Sequence, residues 1–289
     1  MLIAVNATLP SPGLSRRLTS ANFTLWPTRN QEDPTVIPAS FAYHRPTSLS
    51  DAIALLEGLG LESRPVAGGH SLIPMMKLRL AVPQALIDLA GIAELRGIRR
   101  EGGSVVIGAT TTMADLIASV DLAAAVPIIR EAALSIADPQ VRARGTIGGN
   151  VANGDPGNDM PAVMQCMDAS YLLAGSAGPR EIAARAFYQG AYLTSLRPGE
   201  VVTGIRISLP PAGHGWAYEK LKRKVGDYAT AAAGVVLAMQ GGRVAKVAIG
   251  LTNVGDTPLF AEDAGAILTG STLDAATVDR AVAAAEAIT

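Results

Sequence analysis

Hydrophobic residues first recur at helical spacing between positions 52 and 59, where four of them fall on one face of a helix. Ser48 and Asp51 can form a capping box at its start, and Gly60 can end it. Short apolar runs follow at 64–67 and 85–89, each of strand length. The pattern predicts a small β-loop-α-β unit at the start of the chain.

Strand-like runs in the rest of the chain come in pairs joined by glycines. Residues 97–100 and 104–108 flank one glycine pair, and 229–239 and 244–252 flank another, which predicts antiparallel hairpins. Further strands are expected at 201–207, at 216–222 and near Tyr171, and helices at 122–137 with Pro127 as a start, at 161–167, and at the end of the chain. Because strands and helices do not alternate as regular βαβ units, we predict an α+β fold.

The composition excludes several classes of function. The chain has 289 residues, 49% of them hydrophobic, and a formal net charge of -1, which suggests about two globular domains and offers no basic block for nucleic acid. It contains no apolar run of about 18 residues, so no transmembrane helix is predicted. Three scattered histidines offer no metal spacing, and the single cysteine, Cys166, is expected to be a buried core thiol of a metal-free protein in a reducing compartment.

The two ends of the chain are unusual. Residues 1–35 are rich in Pro, Ser, Asn and Arg, carry no targeting pattern, and are interpreted as a disordered or spurious extension. The last helical pattern reaches Thr289 without a glycine cap, which predicts a truncated end.

Two glycine-rich stretches are the main candidates for chemistry. VAGGHSLIP covers residues 66–74, and GTIGGNVANGDPGND covers residues 145–159. Glycines let backbone amides approach an anion closely, and a pyrophosphate fits that description. Neither stretch has the G-x-G-x-x-G or P-loop pattern of common nucleotide sites. The alternative is that they are two independent tight turns.

Three side chains near these stretches each have two interpretations. His70 could attach a flavin covalently or donate a hydrogen bond, but we assign it to the loop through its backbone. Asp159 could bind ribose or ribityl hydroxyls; equally, Asp155 and Asp159 could only cap turns and the following helix. Tyr228 could stack on an aromatic ring or be an aromatic residue at a strand edge.

Longer segments add a resemblance. AGGHS, TIGGN, IADPQVRARGTIGGN, ANGDPGNDMPA and YEKLKRKVGDYATAA resemble the FAD-binding medium subunits of molybdenum-containing carbon monoxide dehydrogenases, within the wider molybdenum-hydroxylase flavoprotein family that includes xanthine dehydrogenase. The resemblance runs from about Ile37 to Thr289. Family chains typically begin Met-Ile-Pro where this chain reads Val36-Ile37-Pro38, which suggests that Val36 stands at the true start of translation, and they continue beyond Thr289.

The resemblance implies a fold and a cofactor site. It implies an FAD-binding domain like that of vanillyl-alcohol oxidase at 36–212, with subdomains at about 36–90 and 91–212, and a smaller C-terminal α+β domain at 213–289. FAD would be held noncovalently. The residues it points to are two glycine loops around the pyrophosphate, a carboxylate and a tyrosine: Ala67, Gly68, Gly69, His70, Ser71, Thr146, Ile147, Gly148, Gly149, Asn150, Asp159 and Tyr228.

The resemblance also implies an electron-transfer role with no substrate chemistry on this chain. A large subunit would carry the molybdenum cofactor and oxidise carbon monoxide, and a small subunit would relay electrons through two [2Fe-2S] clusters to FAD and then to a quinone or other acceptor. A dimer of heterotrimers in the cytoplasm is expected, with peripheral association with the inner face of the membrane left open. The alternatives are an FAD subunit of an N-heterocycle or xanthine-type hydroxylase and a flavin-free scaffold.

Overall fold

The computed structural model describes residues 37–289. The interpretation of residues 1–35 as an extension therefore lies outside the described residues. Three larger sheets follow one another along the described chain, with helices packed on each, and the α+β class predicted from the sequence is confirmed.

The first sheet is parallel and has three strands in the order β1-β3-β2. Its buried residues include Ala52, Leu56 and Ile87, from the predicted helical face and the central strand. The Ser48 hydroxyl accepts from the amide of Asp51 and so caps the first helix. The elements are β1 Ala42–His44, α1 Leu49–Leu59, β2 Ser63–Val66, α2 Leu72–Lys77 and β3 Ala85–Asp88.

The second sheet is antiparallel, with five strands in the order β4-β5-β10-β6-β7. The predicted hairpin at its edge is present, with Ile98 opposite Ile107. The chain between β7 and β10 forms a separate two-stranded hairpin, β8-β9. The strands are β4 Ile98–Glu101, β5 Ser104–Gly108, β6 Ser170–Gly175, β7 Gly178–Ala183, β8 Tyr188–Gly190, β9 Leu193–Thr194 and β10 Val201–Ser208.

Six helices lie in the connection between β5 and β6 of the second sheet. Thr112 and Asp115 form a capping box at the start of α3, with both reciprocal hydrogen bonds. The helix predicted at 122–137 is divided at Val126, before Pro127, and its second part ends at Ser135. The helices are α3 Met113–Ala118, α4 Val120–Ala125, α5 Pro127–Ser135, α6 Pro139–Arg142, α7 Ile147–Ala152 and α8 Asp159–Cys166.

The sequence suggested that the glycine-rich stretch TIGGN is a loop. In the structure it is a short helix. Thr146 is its N-cap, and the Thr146 hydroxyl accepts from the amide of Gly149. Ile147 and Gly148 donate to backbone carbonyls of the preceding region, Thr111 and Ala109. These bonds offset the poor helix propensity of two adjacent glycines.

The third sheet is antiparallel, with four strands in the order β11-β12-β13-β14, and two helices pack near its end. The buried helix α8 lies against its central strands. A β-carbon added at Gly250 would lie 2.4 Å from the carbonyl oxygen of Ala162, so only glycine permits this approach. The elements are β11 Gly215–Leu221, β12 Ala231–Gln240, β13 Arg243–Thr252, β14 Leu259–Phe260, α9 Glu262–Leu268 and α10 Ala275–Glu286.

Candidate flavin site

A cavity of about 1400 Å³ runs between the first two sheets and reaches β11 of the third. It is large beside the roughly 300–1000 Å³ of ordinary small-molecule pockets, and so has room for an extended ligand. Eleven of the twelve residues predicted for the site border this cavity, and the exception is Ile147. Ile147 is fully buried in the core beneath it.

The two glycine stretches lie against each other. A β-carbon at Gly68 would lie 2.3 Å from the carbonyl oxygen of Arg144 and 2.9 Å from the α-carbon of Gly145, the residue before Thr146. Two independent turns would have no reason to meet at backbone distance. The structure therefore favours one combined site over separate turns.

The first stretch presents backbone to the cavity. Gly69 has φ +74°, in the left-handed region that favours glycine, and the chain turns there into α2. Ser71 is the N-cap of α2 but its side chain makes no capping hydrogen bond. The exposed imidazole of His70 donates from Nδ1 to the carbonyl oxygen of Gly68, 2.9 Å away, which stabilises the loop.

From the sequence, we expected the second stretch to present free backbone amides to a ligand. In the structure these amides are already paired. The amides of Gly148, Gly149 and Asn150 donate to acceptors within the chain, as does that of Ile147. What remains for a ligand is the open face of Gly149, which is exposed, and the side chain of Asn150. The Asn150 Oδ1 atom is buried without a hydrogen-bond partner. An unsatisfied buried oxygen costs about 1–3 kcal/mol, which a ligand hydroxyl or N–H would remove.

Asp159 is a buried charged group at the site and is already paired. Its Oδ1 accepts from the hydroxyl of Tyr218 at 2.5 Å, and its Oδ2 lies 3.0 Å from Nζ of Lys220, both donors lying on β11. Lys220 also lies 3.4 Å from the carbonyl oxygen of Ser135. Burial, followed by the charge of Asp159, raises the pKa of Tyr218 far above its ordinary value.

The capping role considered for the two aspartates is divided between them. Asp155 Oδ1 accepts from the amide of Gly157 at 2.9 Å and closes a turn. Asp159 does not cap: it is the first residue of α8, whose N-cap is Asn158. The side-chain Nδ2 of Asn158 donates to the carbonyl oxygen of Asn150 at 2.8 Å and ties α8 to α7. Sequence reasoning missed Lys220 and Asn158.

Tyr228 precedes β12 and borders the cavity with 55% of its surface exposed. Its ring is close to Gly157, where an added β-carbon would lie 3.2 Å from Cδ1 of the ring. Partial burial, with the charges of Asp155 and Asp159, raises the pKa of Tyr228. A second half-exposed tyrosine, Tyr192, borders the same part of the cavity. No pattern in the sequence singled out Tyr192.

Cys166 is buried, as expected, and its thiol donates to the carbonyl oxygen of Gly234. Burial raises the pKa of Cys166 to about 12, so the thiol stays protonated. Within residues 37–289 there is no group of three metal-binding side chains. The helices of the same range are all too short or too polar to cross a membrane.

Comparison with known proteins identifies the family. The model described as "FAD binding domain in molybdopterin dehydrogenase" matches residues 39–210, and "CO dehydrogenase flavoprotein C-terminal domain" matches residues 216–289. The carbon monoxide dehydrogenase medium chain of Afipia carboxidovorans is 64% identical over 254 residues, 88% of each chain. That of Hydrogenophaga pseudoflava is 50% identical over 253 residues, again 88% of each.

Solved structures agree with the sequence relatives. A chain of Cu,Mo-CO dehydrogenase, 64% identical, superposes with a TM-score of 0.87 and 88% coverage of both chains. A chain of quinoline 2-oxidoreductase from Pseudomonas putida 86, 34% identical, gives 0.82 with 86% coverage of both. The two family models together, and the aligned parts of these relatives, include residues that border the cavity. The chain therefore belongs to the FAD-binding flavoprotein family of the molybdopterin dehydrogenases.

Proposed function

We propose that this chain is the FAD-carrying electron-transfer subunit of a molybdenum hydroxylase that oxidises carbon monoxide. The observation that carries the proposal is the cavity in which two glycine stretches meet at Gly68 and Arg144. Its relatives with 64% and 50% identity are carbon monoxide dehydrogenase medium chains, whereas quinoline 2-oxidoreductase is 34% identical. This difference favours carbon monoxide over an N-heterocycle as the substrate of the complex.

The residues present fit FAD. The left-handed turn at Gly69 and the open face of Gly149 permit the close approach that a pyrophosphate requires. The unpartnered oxygen of Asn150 suits a hydroxyl or N–H of the cofactor. The other residues assigned to holding it are Ala67, Gly68, His70, Ser71, Thr146, Ile147, Gly148, Asp159 and Tyr228. Ile147 acts from the core, by supporting the short helix.

When bound, FAD would accept electrons one at a time and release them in pairs. This chain's residues would orient the cofactor: Asp159, fixed by Lys220 and Tyr218, borders the cavity, and Tyr228 borders it with an exposed ring. Oxidation of carbon monoxide with water gives carbon dioxide, two protons and two electrons, on a large molybdenum subunit. Two [2Fe-2S] clusters of a small subunit would carry the electrons to this chain.

The proposal includes the assembly, a dimer of heterotrimers in the cytoplasm with the complex at the inner face of the membrane. It also includes the domains, an FAD-binding domain at 36–212, divided near residue 90, and a C-terminal domain at 213–289. The first two sheets fall in the former and the third in the latter, which supports this division. Measurement of the size and mass of the complex tests the assembly. Cell fractionation tests its location.

The central experiment is co-purification of the complex followed by metal analysis and anaerobic addition of carbon monoxide. The expected result is molybdenum, iron and FAD together, with loss of the oxidised-flavin absorbance when carbon monoxide is added. Bleaching by an N-heterocycle but not by carbon monoxide would establish the alternative substrate class. A correctly assembled complex that contains molybdenum and iron but no FAD would leave only the scaffold function.

Noncovalent binding of FAD has a separate test. The imidazole of His70 donates to its own loop through Nδ1, as a structural residue does. Acid precipitation of the complex is expected to release all the flavin into the supernatant. Yellow colour remaining with the denatured chain would show a covalent bond and overturn this part of the proposal.

A further inference from the structure

Asn253 follows the last residue of β13 and has φ +60°, in the left-handed region that asparagine enters more readily than most residues. The ladder between β12 and β13 ends at the pair of Ala232 and Thr252, so Asn253 is the first residue beyond it. Its side chain reaches back to the segment before β12. Nδ2 donates to the carbonyl oxygen of Ala229 at 2.7 Å and lies 3.5 Å from that of Thr230. The side chain therefore continues the attachment of this segment to β13 after the backbone has turned away.

The backbone of Asn253 holds a second segment. Its amide donates to the carbonyl oxygen of Pro156 at 3.1 Å. Pro156 lies in the turn that the Asp155 carboxylate closes by accepting from the amide of Gly157. One residue at the end of β13 thus joins the turn before α8 to the segment before β12.

Tyr228 lies between the two segments that Asn253 joins. It directly precedes Ala229 in the chain, and its ring covers Gly157. A β-carbon added at Gly157 would lie 3.2 Å from Cδ1 of the Tyr228 ring and 3.8 Å from Cγ of Asn253. Tyr228 borders the cavity and Asn253 does not, so an effect of Asn253 on a ligand in the cavity must pass through a neighbour.

We propose that Asn253 is a positioning residue of the flavin site. It fixes the backbone that follows Tyr228 and the turn beneath the Tyr228 ring, and so sets where that ring meets the bound cofactor. The inference rests on the proposed function, because it requires FAD in the cavity in contact with Tyr228. Aromatic rings attract one another only at defined distances and angles, so a ring whose flanking backbone is untied makes a weaker contact.

The chemistry of asparagine suits this position. Glycine accepts the left-handed conformation but has no side-chain donor. Aspartate has the same size, but its carboxylate only accepts hydrogen bonds and would face the carbonyl oxygens of Ala229 and Thr230. Asparagine combines the left-handed backbone with a short N–H donor, and the tie to Ala229 needs both.

The test is a double-mutant cycle in the assembled complex, with Asn253→Gly, Tyr228→Ala and the double variant. Glycine keeps the backbone conformation and the amide bond to Pro156, so only the side-chain tie is lost. The readouts are the rate of FAD release on dilution, followed by flavin fluorescence, and the visible circular dichroism of the bound flavin. We expect Asn253→Gly to speed FAD release about three- to tenfold and to change the dichroism. The double variant should match Tyr228→Ala, because Asn253 acts through the ring.

Asp168→Gly is the matched control for glycine at a left-handed position. Asp168 has φ +51°, and its exposed carboxylate lies 3.4 Å from Arg185, but it does not border the cavity. Its FAD release and flavin dichroism should equal those of the unaltered complex. Asn253→Asp should behave like Asn253→Gly, since it also lacks the donor.

Two results would overturn the inference. Unchanged FAD release and dichroism in Asn253→Gly would show that the tie does not affect the cofactor. Additive effects of Asn253→Gly and Tyr228→Ala would show that Asn253 acts by loosening the fold and not through the ring. A complex that lacks flavin before any substitution would instead refute the proposed function.

Discussion

Gly68 and the backbone of Arg144 are in direct contact, since a β-carbon at residue 68 would lie 2.3 Å from the Arg144 carbonyl oxygen. This contact sets the distance between the two glycine stretches, which are more than 70 positions apart in the chain. Close packing of backbone on backbone cannot be relieved by a change of rotamer.

Gly68→Ala is therefore expected to separate the two stretches and to lower FAD occupancy of the purified complex severalfold. Gly58→Ala is the control, because Gly58 lies in α1 with nothing within 4 Å of an added β-carbon. Alanine there should raise stability by about 0.5–1 kcal/mol and leave FAD content unchanged. Full FAD occupancy in Gly68→Ala would contradict the role given to this contact.

Adjacent glycines of α7 are expected to respond differently to substitution. A β-carbon at Gly148 would lie 2.5 Å from Cβ of Ala109, so Gly148→Ala should destabilise the fold by about 1–3 kcal/mol, measured by denaturant unfolding. Gly149 is exposed, and an added β-carbon meets only the Thr146 hydroxyl, at 2.9 Å. Gly149→Val should therefore lose FAD more than stability. Equal flavin-to-protein absorbance ratios in Gly149→Val and the unaltered complex would refute this.

The buried pair of Asp159 and Lys220 gives a stability prediction. Both side chains are almost fully buried, so Lys220→Met leaves an uncompensated carboxylate and should cost about 3–5 kcal/mol. Adding Asp159→Asn removes that charge, and the double variant should be more stable than Lys220→Met alone. Denaturant unfolding of the four species in a double-mutant cycle checks this. Additive effects would show that the two groups do not interact.

The lowered pKa of Glu200 predicts that the stability of the fold depends on pH. A hydrogen bond from Arg180 holds the pKa of Glu200 below its ordinary value, with a further contribution from the amide of Arg197. A lowered folded-state pKa gives stability that is fully present above the unfolded-state pKa, about 4.3, and is lost as the pH falls through the folded-state value. Glu200→Gln should lower stability at pH 7 by about 2 kcal/mol.

The loss caused by Glu200→Gln should shrink when unfolding is measured at progressively lower pH. Glu62→Gln is a control carboxylate, since Glu62 is exposed at the end of a short 3-10 turn. A loss that stays constant from pH 7 to below the pKa of Glu200 would show that the side chain acts through packing and not through its charge.

Local signals predicted local structure. Thr112 and Asp115 form the capping box that their spacing indicates, and the hairpin of β4 and β5 forms around its glycines, because these features depend on residues a few positions apart. TIGGN was misjudged as a loop because glycine disfavours helices. Its helix depends on acceptors from residues 109 and 111, which no local pattern reveals.

The polar environment of the cavity could be predicted only in part. The glycine stretches were recognisable by composition, but the pairing of Asp159 with Lys220 joins residues 61 positions apart. Tyr192 carried no signal, since a tyrosine in a hairpin connection contradicts ordinary turn preferences. Both features follow from how the sheets pack on one another, a property of the whole chain.

The approach of α8 to Gly250 makes the third sheet part of the cavity's foundation. The helix that begins with Asp159 rests on β13 at a spacing that only glycine allows, and β11 supplies both the lysine that neutralises the Asp159 charge and the tyrosine hydroxyl that donates to it. A fragment ending before β11 would retain both glycine stretches yet leave the face of α8 that packs on β12 and β13 exposed to solvent. We therefore expect the FAD-binding domain to be less stable when it is expressed without the C-terminal domain than within the whole chain.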